Sequence, residues 1–242
     1  GVFQLEKCSH DDKLQYRLGQ MLHTGTGTEQ DDAAAADYWE RSAKLGNVNA
    51  QYALGKLWLD NETGNPEQAV AWITKASDGG NAAAQYALAK IYRDGKYVQQ
   101  DISKAVELFQ RSAGQENQYA QYQLGKLYLS GEHLPKDVEA AIRWLEKSAM
   151  QENQFAQYAL GKLYLCGHDV PRDKEKAVPL LEASAIQGNI YAQFLLDHID
   201  SFRDPSPFLA ATRLLRRLEN LFREDVRKAA GGTAYHIDRK RR

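Results

Sequence analysis

One phrase recurs along this chain at nearly constant spacing, and that period constrains the fold more than any other feature. Ala50-Gln51-Tyr52-Ala53-Leu54-Gly55-Lys56-Leu57-Trp58 returns at residues 84–92, 120–128 and 156–164. A weaker copy stands at 14–22, and a half-copy begins at Ala192. Successive copies are 36, 34, 36, 36 and 36 residues apart. A second phrase, Ala35-Ala36-Asp37-Tyr38-Trp39-Glu40-Arg41-Ser42-Ala43, alternates with the first and restarts at Ala69, Ala105, Ala141 and Ala177. Each repeat therefore reads as two helices, A then B. Such a pair cannot bury its apolar faces alone, so neighbours must stack.

The residues between the phrases agree. Helix A follows Asp11, Asn47, Asn81, Asn117, Asn153 and Asn189, and helix B follows Asp31, Asn65, Asp101, Asp137 and Asp173. These side chains accept hydrogen bonds from the first turn of a helix. Asn65-Pro66-Glu67 puts proline at the first helical position, where its missing N–H costs nothing. Gly25, Asn61, Gly95, Gly131 and Gly167 are expected to end helix A in the left-handed conformation. Gly46, Gly80 and Gly188 mark turns back to the next helix A.

Gly19, Gly55, Gly125 and Gly161 fall inside helix A, where glycine costs about 1 kcal/mol relative to alanine. The reason expected is a close crossing of helices A and B, since Ala89 takes the same place in the third repeat. On helix A, Ala50, Leu54, Leu57 and Trp58 share one side and are expected in the core. Pro179 interrupts the last helix B and is expected either in its first turn or as a kink.

The pattern Leu-Gly-Lys-Leu-Tyr-x-x-Gly, as at Leu124 to Gly131, is followed by Asp-x-x-Lys-Ala-x-x-Trp/Leu-x-x-Lys-Ser/Ala-Ala. It closely resembles the Sel1-like repeat, a relative of the tetratricopeptide repeat, over residues 12–202. The resemblance implies an all-α fold, a right-handed α/α superhelical solenoid of about five helix pairs with a C-terminal capping helix. It also implies an adaptor role. Secreted cysteine-rich members of that family bridge helices A and B with disulfides. This chain has only 2 cysteines, Cys8 and Cys166, so a cytoplasmic setting is expected.

In such arrays helix A lines the concave face. A ladder of Tyr16, Tyr52, Tyr86, Tyr122, Tyr158 and Phe194 runs across the repeats, beside Gln20, Lys56, Lys90, Lys126 and Lys162. His23, Leu59, Arg93, Leu129 and Leu165 follow below. A groove of aromatics and lysines suits a protein or peptide ligand with apolar anchors and acidic residues. Two readings stay open for the tyrosines: packing between helices, and contact with a ligand. The lysines read first as a solvated row, and otherwise as part of the groove.

Charge is uneven. Residues 203–242 hold 11 Lys and Arg against 5 Asp and Glu, a balance of +6, which leaves 20 against 27, or −7, for the rest. The organisation expected is a lead-in at 1–11, the solenoid at 12–202, a linker at 203–207, an amphipathic basic helix at 208–230 and a flexible basic tail at 231–242. In the helix Leu214, Leu215, Leu218, Leu221 and Phe222 make an apolar stripe. It is read either as a cap on the last repeat or as a docking helix. Arg213, Arg216, Arg217, Arg223, Arg239, Lys240, Arg241 and Arg242 are the candidates for DNA phosphate contact. Leu209-Ala210-Ala211-Thr212-Arg213-Leu214-Leu215 and His236-Ile237-Asp238-Arg239-Lys240 resemble the C-terminal region of relaxases from conjugative and mobilisable elements. That resemblance implies an accessory part of a DNA-nicking protein, with the catalysis in a domain outside this chain. The Gly1 start and basic end read as the boundaries of a piece of a longer protein, and no secretory signal pattern opens it.

Catalytic and metal patterns are missing. The 6 histidines include no His-x-x-x-His pair, and Cys166-x-His168 stands alone. Gly25-Thr26-Gly27-Thr28 lacks the Gly-Lys-Ser/Thr of a phosphate loop. No Gly-x-Ser-x-Gly elbow occurs, nor any apolar run of about 18 residues that would span a membrane. The expectation is a non-catalytic scaffold with no cofactor, no metal and no membrane span.

Overall fold

The structure, a computed structural model, describes residues 11–60 and 65–199, and every regular element among them is an α-helix. The order is α1 Asp12–Thr24, α2 Asp32–Lys44, α3 Val48–Asp60, α4 Pro66–Asp78, α5 Ala82–Asp94, α6 Ile102–Gly114, α7 Gln118–Ser130, α8 Val138–Met150, α9 Gln154–Cys166, α10 Lys174–Ile186 and α11 Ile190–Asp197. Odd-numbered helices are the A helices and even-numbered ones the B helices. The fold is an all-α repeat solenoid of five helix pairs, and α11 adds half a repeat. The chain divides into two units, residues 1–160 and 161–242, parted within α9.

The helix starts follow from the caps. All eleven expected Asp and Asn side chains accept from a first-turn N–H, as Asp31 does from Ala34 at 2.9 Å and Asn117 does from Ala120 at 3.1 Å. Helix A stops on Gly25, Gly95, Gly131 and Gly167, with φ of 65° to 68°. Asn61, expected to play the same part, lies outside the described residues.

The turn from B to the next A is locked from both sides. The Asn47 N–H donates to the Ser42 carbonyl at 3.2 Å, and the Gly46 N–H to Ala43 at 3.0 Å. This double bond pattern closes the helix in the left-handed manner. Asn47 thus ends α2 and caps α3 in one residue. Gly46, Gly80 and Gly188, expected to mark these turns, take the left-handed place in them, with φ of 97°, 88° and 89°. In the other two turns a glutamate stands there: Glu116 at φ 63° and Glu152 at φ 61°.

Packing accounts for the glycines inside helix A. A Cβ on Gly55 would lie 2.7 Å from both the Ala69 carbonyl oxygen and Ile73 Cγ1. On Gly125 it would lie 2.5 Å from Leu145, and on Gly161 2.7 Å from Leu181. Ala89 is fully buried, in one cluster with Phe109. Ala50, Leu54 and Leu57 are buried as expected. Trp58 departs from expectation: it is half-buried and packs against the edge of the cluster that Trp39, Ala50 and Leu54 form. Pro179 is not in the first turn; it is the sixth residue of α10, exposed, and the helix runs through it.

Two polar series hold the layers together. Ser112 and Ser148, fully buried on B helices, donate to the Ala82 and Gln118 carbonyls at 2.7 Å each. Gln51, Gln85 and Gln121, buried on A helices, donate to the Ala43, Ser77 and Ala113 carbonyls. These carbonyls lie in the last turn of a helix, where no partner within the helix exists. Gln115 and Gln151 extend the chain of amides by donating to Gln85 and Gln121. The expected linker, amphipathic helix and tail at 203–242 lie outside the described residues.

Candidate functional site

On each A helix the ladder residue sits at the edge of that helix's own core stripe. Tyr16, Tyr52, Tyr86, Tyr122, Tyr158 and Phe194 are all half-buried. Helix periodicity explains this: the buried Gln before each Tyr points inward, and the Tyr sits at the edge of the core stripe. Tyr86 packs its ring 5.9 Å from Phe109 while its hydroxyl reaches Gln123. Burial pushes the Tyr16, Tyr52 and Tyr86 phenols up from their ordinary range. For Tyr52 the nearby Asp60 carboxylate adds to burial. These rings stay neutral phenols, able to donate and to accept.

The lysine row lies one turn further along. Lys56, Lys90 and Lys126 are exposed and Lys162 is half-buried. The Lys90 and Lys126 ammonium groups stand 5.8 and 5.6 Å from the Tyr86 and Tyr122 ring centroids, in cation–π range. Gln20 holds the same place in the first repeat and donates to the Tyr16 hydroxyl at 2.9 Å. Among the described residues no carboxylate forms an ion pair with Lys56 or Lys90.

Two recesses open between the N-terminal A helices. One, about 460 Å³, has Tyr16, Trp39, Asn49, Tyr52 and Ala53 in its walls. His23 closes its rim, its Nδ1 2.6 Å from Asp32 and its ring 5.3 Å from Trp39. The other, about 550 Å³, is lined by Leu59, Ala83, Tyr86, Ala87, Ile91 and Tyr97. Tyr52, Lys56, Asp60 and Ala83 belong to both, so the recesses merge into one trough with an apolar floor and a mixed-charge rim.

At α7 the pattern changes. Tyr119 stands where Ala83 stood on α5, and its ring lies 5.9 Å from Tyr86 at 36°. Gln123 stands where Ala87 stood, accepting from Arg93 Nη1 at 3.2 Å and bonding to Tyr86. Phe155 on α9 repeats the arrangement, its ring 5.9 Å from Tyr122. Tyr119 and Phe155 are nonetheless 49% and 48% exposed, so they present aromatic edges where Asn49 and Ala83 leave space.

Sequence reasoning missed this position, the second residue after each helix-A cap. Its signal is variation: Asn49, Ala83, Tyr119, Phe155 and Tyr191 differ while the Ala-Gln-Tyr after them hardly changes. Leu165, expected below the ladder, is buried core instead. The candidate DNA contacts Arg213, Arg216, Arg217, Arg223, Arg239, Lys240, Arg241 and Arg242 lie outside the described residues. Burial pushes the Cys166 thiol up to about 11, so it is protonated near neutrality and a weak nucleophile or ligand. Among the described residues no cluster of three or more His, Cys, Asp or Glu is placed to hold a metal ion. No helix among them is long and apolar enough to cross a membrane.

The Sel1 repeat family model matches residues 13–47, 48–81, 82–117, 118–153 and 154–189. A Sel1 repeat protein from Oxalobacter formigenes is 26% identical with a TM-score of 0.71, over 76% of each chain. The protein c5321, a protective antigen of uropathogenic Escherichia coli displaying an SLR fold, is 31% identical with a TM-score of 0.70. That match covers 79% of this chain and 42% of c5321. The Pseudomonas aeruginosa immunity protein PA5088, at 19% identity and a TM-score of 0.53 over 79% of this chain and 74% of its own, shares the fold. No match was found among the curated proteins.

Proposed function

This chain belongs to the Sel1 repeat family, and from that premise we propose that it holds a peptide segment of a partner protein along the helix-A face. Sel1 repeats in general are protein-interaction scaffolds and typically carry no catalysis. One observation carries the reading: two adjoining recesses with apolar floors merge along the ladder tyrosines, with Lys56 and Lys90 on their rim. Apolar anchors need a desolvated pocket, and a charged rim adds selectivity and speed of encounter. Tyr16, Tyr52, Tyr86, Lys56 and Lys90 are the proposed contacts in this half. Tyr122, Lys126, Tyr158, Lys162 and Phe194 are further proposed contacts, each on its own A helix.

The accessory role in a relaxase and the DNA contact rest on the sequence of residues 203–242 alone. The cytoplasmic setting rests on the scarcity of cysteine.

The test is charge reversal on the rim. Lys56→Glu with Lys90→Glu alters two exposed side chains, so the helical melt should not move. Binding of the full chain to synthetic acidic peptides is measured by fluorescence anisotropy at two salt concentrations. The reading predicts at least a tenfold loss of affinity in the variant and weaker wild-type binding at high salt. Equal affinity for variant and wild type would contradict it.

A further inference from the structure

We propose that residues 208–221 are the B helix of a sixth repeat and pack on a stripe of α11, Ile190, Gln193 and Asp197, which the described residues leave uncovered. What the helix-A face binds does not enter.

Ile190, Gln193 and Asp197 lie three and four residues apart, so they share one side of α11. All three are exposed. On α7 the matching Gln118 is half-buried, and Gln121 and Gly125 are buried; α3, α5 and α9 agree. In those repeats the cover comes from the repeat's own B helix and the turn after it. Ser112 donates to the Ala82 carbonyl, Gln115 donates to Gln85, and Leu145 closes over Gly125. No B helix follows α11 among the described residues.

The sequence supplies one in register. The B-helix phrase, last met at Ala177, restarts at Ala211. Ala210-Ala211-Thr212-Arg213-Leu214-Leu215-Arg216-Arg217 follows Ala140-Ala141-Ile142-Arg143-Trp144-Leu145-Glu146-Lys147 place by place. Ala211 comes 34 residues after Ala177 and 19 after Ala192, as Ala69 comes 34 after Ala35 and 19 after Ala50.

Burial in the described helices then sorts the new one. Leu215 takes the place of Leu145 and Leu181, both fully buried, and Leu214 that of the half-buried Trp144. Arg213, Arg216 and Arg217 take the places of Arg143, Glu146 and Lys147, all exposed. Leu218 replaces Ser148, whose hydroxyl reaches the Gln118 carbonyl, and Ile190 replaces Gln118 itself. Both places turn apolar together, as they do in the second repeat with Ala76 and Val48. Asp197 departs from the pattern: it stands where Gly161 admits Leu181, so the crossing is wider here. Phe222 and Arg223 stand where Gly188 and Asn189 close the fifth repeat, so the array stops with this helix. A terminal repeat needs a polar outer face, and the three arginines provide it.

Cysteine cross-linking of the full chain reads the register. In a Cys8→Ser, Cys166→Ala background, Asp197→Cys is combined with Leu215→Cys or, as control, with Arg216→Cys. A disulfide needs Cβ atoms roughly 4 Å apart, so the Leu215 pair is expected to close within one chain about tenfold faster than the Arg216 pair. Amide exchange is the second measurement. Leu215→Ala is expected to speed exchange at Leu195 and Leu196 about tenfold, with Leu88 unchanged, and Arg216→Ala to leave all three as they are. Equal closing rates for the two pairs overturn the sixth repeat, and so does a disulfide formed only between two chains. Exchange in Leu215→Ala that equals wild type, or that rises alike at Leu88, overturns it as well. Neither measurement involves a peptide, so failure here leaves the helix-A reading untouched.

Discussion

Tyr119 leans on Tyr86 with ring centroids 5.9 Å apart, in the place where, one repeat earlier, Ala83 sets only a methyl group beside Tyr52. A repeat scaffold is uniform by construction, so its recognition chemistry must come from positions that break the uniformity. This pair marks the point where the trough changes from open to filled. Ring contacts of this kind are worth about 1 kcal/mol. Tyr119→Ala should therefore lower stability by roughly 1 kcal/mol in urea titration while leaving the helical signal intact.

The helix-A glycines predict an asymmetric pair of substitutions. Gly55→Ala drives a methyl group into the Ala69 carbonyl, and backbone cannot step aside. We expect a loss of about 2–3 kcal/mol, unrelieved by shortening Ile73 to Val. Gly125→Ala meets mainly the Leu145 side chain. There the loss should shrink in combination with Leu145→Ala, which removes the γ and δ carbons the new methyl group meets, relative to the sum of the two single changes. Denaturation of the two double-mutant sets measures the difference.

The two left-handed glutamates predict a gain. A left-handed conformation costs an L-residue roughly 1–2 kcal/mol that glycine avoids. Glu116→Gly and Glu152→Gly should each raise stability by about 1 kcal/mol net of glycine's greater freedom when unfolded. Gly80→Ala, at φ 88°, should lower it by a similar amount. Thermal melts of the three variants decide the matter.

Cys166 predicts a pH dependence. Its folded-state value near 11 lies above the ordinary thiol value of 9.0, so the folded state holds this proton more tightly than the unfolded chain. That contribution is whole below pH 9 and fades as pH climbs towards 11. Unfolding measured in that window should show a falling stability that Cys166→Ala flattens in part. In a Cys8→Ser background, iodoacetamide at pH 8 should label the native protein far more slowly than the denatured one.

The repeat phrases made the architecture legible because every helix boundary is written in short-range chemistry. Asn47 can be recognised as a cap from its neighbours alone, and it also closes the helix before it. The close crossings were legible too, since a glycine inside a helix demands a reason. What stayed hidden depends on partners distant in sequence. Gln121 reads as a surface amide until Ala113 and Gln151 are seen around it. Glu116 was missed for a different reason: its turn is local, closed by Ser112, Ala113 and Asn117, but a glutamate carries no mark of the left-handed place that glycine fills in the other repeats. The ladder could be listed residue by residue, yet its relief could not. That relief depends on whether a ring or a methyl group stands beside each tyrosine in space.

The most direct measurement is an alanine-methyl NMR titration of the full chain with the synthetic acidic peptides. Ala53, Ala83 and Ala87 line the trough, whereas Ala76, Ala105 and Ala141 are buried on B helices. The account predicts saturable shifts of the first three methyl groups with the last three still. Shifts confined to the B-helix methyl groups, or none at any peptide concentration, would contradict it.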